Sequence, residues 1–188
     1  MEHHFLLNGS KMKPQKYPSS KMKVGLVLYR VTAFTDEEDG KTTIDVEQWV
    51  VRSIKRKRGT QTRCGFALPT AIYRQQRYVH LTHKIKGITW GKRSRLNGDF
   101  GWLKSIPTWC RESFAEGDDL PIGFYTTQLA AFKSAIALKQ SEIKRYKAWE
   151  QEKGYEPGYW DDVVAESEKE LRLLKARLKR YQSATAFK

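Results

Sequence analysis

Between Glu47 and Asp99 the chain carries 13 lysines and arginines and not one aspartate or glutamate. With no acid inside the block to balance them, these side chains repel one another in any compact arrangement. Only a structure that turns them towards solvent, and buries the apolar residues between them, can form. The bases are Arg52, Lys55, Arg56, Lys57, Arg58, Arg63, Arg74, Arg77, Lys84, Lys86, Lys92, Arg93 and Arg95, and they supply +13 of the formal net charge of +14. A charge so concentrated is the electrostatic footprint of a protein that meets a polyanion.

The rest of the chain is able to hold such a block in place. Its 188 residues, 39% hydrophobic and 12% aromatic, suffice for one packed domain, or for one domain with an appendage. No apolar run approaches the roughly 20 residues needed to cross a bilayer, and Phe5-Leu6-Leu7 is too short for the apolar region of a signal peptide. A cytoplasmic protein without membrane contact is the expectation. Cys64 and Cys110 are too few and too far apart for a disulfide framework, and are expected as reduced thiols.

Residues 8–23 mix Pro, Ser, Gly and Lys with little apolar content, and residues 1–23 read as a flexible basic tail. Order is expected from Val24 onward. Residues 24–34 are β-branched and aromatic, residues 41–51 partly alternate apolar with polar side chains, and Asp39-Gly40 between them is a hairpin signal. From Arg52 to Arg63 the pattern dissolves into like charges, which reads as a loop or as the exposed tip of a ribbon. Further strands are expected at residues 78–85, 87–90 and 100–103, with a short one at 122–125 and a hairpin turn at Asn97-Gly98-Asp99. The period then changes. Leu129, Phe132, Ile136, Ile143 and Tyr146 follow helical spacing, with Thr126 or Thr127 as N-cap and Gly154 as the stop. Asp161 or Asp162 caps a second helix, striped by Val164, Leu171, Leu174, Leu178 and Tyr181, and the short connection makes the two antiparallel. The fold class is therefore α+β: an antiparallel β-sheet module packed on a helix, followed by a C-terminal antiparallel helical hairpin. The β-rich basic module covers residues 24–125 and the hairpin residues 126–188.

The run Lys86-Gly87-Ile88-Thr89-Trp90-Gly91-Lys92-Arg93-Ser94-Arg95, the pair Gly101-Trp102, and Phe124 with Thr126 or Thr127 followed by Ala130, Ala131 and Ala135 together resemble the Apetala (ethylene-response-factor) type of DNA-binding domain, in the version found in phage and mobile-element proteins. The resemblance covers residues 84–138. It implies a three-stranded sheet packed on Leu129, Phe132 and Ile136, whose opposite face enters the major groove of DNA. On that basis Lys86, Trp90, Lys92, Arg93, Arg95, Trp102 and Lys104 make the contacts. The chain departs from the family between Ile106 and Pro121, a link longer than usual that carries Glu112, Glu116, Asp118 and Asp119.

The physical reading stands without the family. Arg52, Lys55, Arg56, Lys57, Arg58, Arg63 and Lys84 join those residues as candidates for phosphate contact, because a basic ribbon fits the major groove. Trp90 or Trp102, if exposed, would stack on unpaired bases and favour RNA or single-stranded DNA; core packing is the alternative for both, and for Trp49. Catalysis finds little support. The block from 48 to 98 lacks any carboxylate to hold a cation, and His80-Leu81-Thr82 is one half of the paired His-x-Thr signature of two-histidine phosphoesterases, with no second half. Cys64, His80, His83 and Cys110 lack the compact spacing of a zinc site, and His80 and His83 fall on opposite faces of a strand. The expectation is a non-enzymatic nucleic-acid-binding protein without metal or cofactor, with DNA as a more favoured partner than RNA. The alternative is a protein-interaction factor, such as a phage-encoded, anti-CRISPR-like inhibitor of a host defence or nucleoprotein complex.

Overall fold

The computed structural model describes residues 15–63, 66–85, 89–90, 102–103, 106–152 and 156–186. Four strands, β1 (Val27–Thr35), β2 (Thr42–Arg63), β3 (Phe66–His83) and β6 (Arg111–Ala115), form one sheet in the order β1-β2-β3-β6. Two short segments, β4 (Thr89–Trp90) and β5 (Trp102–Leu103), pair separately. Helices α1 (Gln128–Glu152) and α2 (Asp161–Ala186) complete the order. The described residues fall into two compact units, one holding residues 15–29 and 47–124, the other residues 30–46 and 125–186.

In the first unit, the inner face of the sheet carries Leu28, Trp49, Val51, Val79 and Leu81, all at most 1% exposed. Met22, Leu120 and Phe124 close this core, and Tyr17, Leu26, Ile54 and Phe114 pack against it. Trp49 is central to it. Its ring stacks on His83 at 5.0 Å, meets Phe124 edge-on at 5.5 Å, and donates its indole N–H to Glu47 Oε2 at 2.6 Å. A large aromatic is buried here without leaving its one donor unpaired. Order begins before Val24: a 3-10 turn spans Ser19–Lys21, Met22 is buried, and the Leu120 amide donates to the Gln15 carbonyl at 3.1 Å. Met22 and Tyr17, expected in the tail, thus pack into the core, between lysines that remain exposed.

Four strand expectations change. β3 starts at Phe66, twelve residues before the expected 78, and β2 runs on through the basic run to Arg63, so this run is a ribbon and not a loop. Residues 121–124 form a turn, closed by the Phe124 amide on the Pro121 carbonyl at 3.0 Å with Gly123 at φ +91°, and of the expected strand only Tyr125 makes a bridge; the strand beside β3 is β6, within the long link between Ile106 and Pro121. β4 and β5 are parallel, Thr89 opposite Trp102 and Trp90 opposite Leu103. Parallel strands are not the two arms of a hairpin; Asn97-Gly98-Asp99, expected as the hairpin turn, lies outside the described residues. Of the segments that the resemblance places in a three-stranded sheet, residues 86–88, 91–101 and 104 lie outside the described residues.

In the second unit, the loop between β1 and β2 uses its acids as acceptors. Asp36 Oδ1 takes the Glu38 amide and Asp39 Oδ1 the Lys41 amide, each at 2.8 Å, while Gly40 adopts φ +62°. Short acidic side chains thereby stand in for backbone partners, and glycine fills the left-handed position without strain. Thr127 is the N-cap of α1, its Oγ1 accepting the Ala130 amide at 3.2 Å. Asp161 and Asp162 lie in the first turn of α2, where negative charge meets the positive end of the helix dipole. The helices run antiparallel: Phe132, early in α1, meets Tyr181, late in α2, at 6.0 Å, and Tyr146 meets Trp160 at 5.0 Å at the other end. Phe132, Ala135, Ile143 and Leu174 are buried between the elements of this unit. The end of the β1–β2 hairpin packs on the pair, where Lys169 Nζ donates to the Gly40 carbonyl at 2.6 Å and Thr35 Oγ1 donates to Glu170 Oε1 at 3.3 Å. Glu170, 4% exposed, is balanced by Lys139 Nζ at 2.7 Å, which also binds Glu142 at 2.8 Å. Burial alone would lower the Lys139 pKa, but the hydrogen bonds and charges of the two carboxylates outweigh it and raise the lysine above its ordinary value.

Candidate nucleic-acid interface

β2 and β3 outrun their neighbours. The Val51 amide donates to the Leu26 carbonyl and the Gly25 amide to the Val51 carbonyl, the end of contact on the β1 side. β6 pairs with β3 only from Tyr78 to Thr82, and the Glu116 amide makes one further bond to the Arg77 carbonyl. Past Arg52 and Arg77, the two strands pair with each other and with no third strand among the described residues. Residues 52–63 alone span roughly 40 Å at about 3.3 Å per residue.

The ladder has three irregularities: between Val51 and Ser53, Arg56 and Arg58, and Thr60 and Thr62. At the first, Arg52 is the extra residue, since Val51 faces Leu81 and Ser53 faces His80. The pleat therefore changes phase. Trp49 and Val51 lie on the core face before it and Ile54 after it, opposite Val79. At the last, the extra residues are on β3 around Pro69, which has no N–H to give to a ladder and is tolerated where the ladder is broken. Such bulges bend a ribbon and increase its twist.

This phase change decides where the bases go. Lys55, opposite Tyr78 and in line with Ala115, lies on the outer face, together with Arg111 of β6 opposite Thr82. Arg56 continues the core face past Ile54 and stands directly opposite Arg77. Both faces of the ribbon are thus cationic where the core ends, and Arg52, Lys55, Arg56, Arg77 and Arg111 are all exposed. Like charges directly opposite are destabilising; two such charges about 5 Å apart in water repel by roughly 0.8 kcal/mol. Arg77 is held by Glu116, Nε to Oε2 at 3.2 Å, with the Gln76 amide donating to the Glu116 carbonyl at 2.7 Å. Among the described residues no ion pair involves Arg52, Lys55 or Arg56.

Lys84 is exposed just after β3, its backbone amide tied to the Gln48 carbonyl at 2.7 Å. Lys57, Arg58 and Arg63 lie on β2, with Arg58 opposite Tyr73 and Arg63 opposite Phe66. Trp90 and Trp102 lie on β4 and β5. Lys86, Lys92, Arg93, Arg95 and Lys104 fall outside the described residues. The structure therefore brings Arg52, Lys55 and Arg56 together, and adds Arg77 and Arg111. Arg77 was already visible as a member of the acid-free block; Arg111 sits in Arg111-Glu112-Ser113-Phe114-Ala115, where two adjacent charges mask a strand.

His83 stacks on Trp49 while His80 occupies the outer face opposite Ser53, so the two do not converge. Cys110 is fully buried, and burial, aided by the charge of Glu47, pushes its thiol pKa up; Cys64 lies outside the described residues. No cluster of three metal-ligating side chains occurs among the described residues, and no described helix is long and apolar enough to cross a membrane. No family model, curated protein or solved structure matches this chain.

Proposed function

We propose that this protein binds nucleic acid, duplex DNA ahead of RNA, by laying the β2–β3 ribbon into a groove. One observation carries the reading: a two-stranded ribbon extends beyond its sheet with bases on both faces and no acid in residues 48–98. A one-faced cationic sheet suits a flat anionic surface. A ribbon charged on both faces suits a groove, whose two walls are both lined with phosphate, and the major groove of B-DNA is wide enough for a two-stranded ribbon. Arg52, Lys55, Arg56 and Arg77 take the phosphate contacts in this reading, and an arginine among them has the geometry for a bidentate contact to guanine.

The experiment compares labelled duplex DNA, single-stranded DNA and RNA of equal length, titrated with the protein and with an Arg52→Glu/Lys55→Glu/Arg56→Glu variant. These residues are exposed, so the variant should melt as the parent does. Duplex DNA should bind tightest, and the variant should lose at least tenfold. Tighter RNA binding would transfer the reading to RNA, and equal binding by parent and variant would remove the ribbon from it.

A further inference from the structure

We infer that the groove between α1 and α2 is a docking site for an acidic helix with an apolar face, presented by a protein partner. The groove encloses about 600 Å³, within the range of specific ligand sites. Ile143, 8% exposed, forms its apolar floor, with half-buried Leu171 and exposed Ala165 on its wall. Lys144, Arg172 and Lys175 form its rim, all three exposed. Glu168 is the one acid lining it and is neutralised by Lys147, Nζ to Oε1 at 3.0 Å. The rim therefore carries a net positive charge, and no Asp or Glu follows Glu170 in the chain.

Two properties select the occupant. The cationic rim calls for carboxylates. The apolar floor calls for side chains that a sugar-phosphate backbone does not offer, which separates this groove from the ribbon. Leu171 belongs to the apolar stripe of α2, yet only Leu174 in that stripe is fully buried; Leu171 remains half-buried at the groove wall. The lining runs from residue 165 to 175 of α2, about 15 Å of helix. An incoming helix of about ten residues fits that length, with apolar anchors at i, i+4 and i+7.

The test uses the full chain and fluorescence anisotropy. The probes are a labelled 14-residue amphipathic peptide with leucines at i, i+4 and i+7 flanked by glutamates, the same peptide with lysines for glutamates, and a short labelled duplex DNA. The acidic peptide should bind saturably, at least tenfold tighter than its lysine counterpart. Lys144→Glu/Arg172→Glu/Lys175→Glu should reverse that preference and leave DNA binding by the ribbon within about twofold. Leu171→Ala should weaken the acidic peptide by fivefold or more; should that variant melt early, the charge variant, altered only at exposed positions, decides alone. Equal binding of the two peptides, or no effect of the charge reversal, overturns the inference. A reversal that costs DNA as much as peptide also overturns it, and makes the rim part of a nucleic-acid surface.

Discussion

Leu174 and Leu171 are three residues apart on α2, and the structure assigns them opposite energetic roles. Leu174 is 1% exposed. Replacing it with alanine removes three carbons from the interior, about 2.4 kcal/mol at about 0.8 kcal/mol per methylene. The space left behind adds roughly 1 to 2 kcal/mol if the helices do not collapse into it. Leu174→Ala should therefore cost about 2.5–4 kcal/mol, which lowers the melting temperature by roughly 8–12 °C in a chain of this size. Leu171 is half-buried beside an open groove, so Leu171→Ala forfeits about half of the transfer contribution and opens no cavity, about 1 kcal/mol. Urea denaturation of both variants, followed by far-UV circular dichroism, measures the difference. Equal losses, or a loss below about 1 kcal/mol for Leu174→Ala, would show that the helical pair does not pack as described.

At the start of α1, Thr127→Ala removes the acceptor for the Ala130 amide and should cost about 1 kcal/mol, whereas Thr127→Ser keeps an acceptor and should cost little, both read from thermal melts. Lys139→Met leaves Glu170 buried without its cation and should cost roughly 3 kcal/mol or more at neutral pH. Because the Lys139 pKa is raised in the folded protein, its stabilisation is complete below the unfolded lysine pKa of about 10.5 and is lost as pH rises through the higher folded value. The stability gap between parent and Lys139→Met should therefore stay constant from pH 7 to about pH 10 and narrow above that; a gap that narrows on acidification alone would contradict the assignment.

The helices were legible in the sequence because their signals are local. Spacing places Phe132 and Ile143 on the stripe of one helix, preceded by Thr127, and Leu174 on the stripe of the next, and α1 and α2 form where those patterns expect them. The Asp39-Gly40 turn was legible for the same reason. The sheet was legible only in part, because strand pairing is non-local. The charged half of β2 has weak propensity on its own and forms a strand by pairing with Phe66–Arg77, a segment whose Pro69 argues against one. β6 hides behind two adjacent charges, Arg111 and Glu112, since only Ser113, Phe114 and Ala115 are partly buried. The bases of the interface could be counted in the sequence; their faces could not. A single extra residue, Arg52, switches the sides on which Ser53 to Arg56 lie, and it places Arg56 against Arg77.

The claim that the ribbon meets phosphates is tested most directly by the salt dependence of duplex DNA affinity. If Arg52, Lys55, Arg56 and Arg77 each neutralise one phosphate, log affinity falls linearly with log salt at a slope of about −3.6. Arg52→Glu/Lys55→Glu/Arg56→Glu should flatten that slope by about 2.7. A slope near zero for the parent, or the same slope in parent and variant, would contradict a polyanion-binding ribbon.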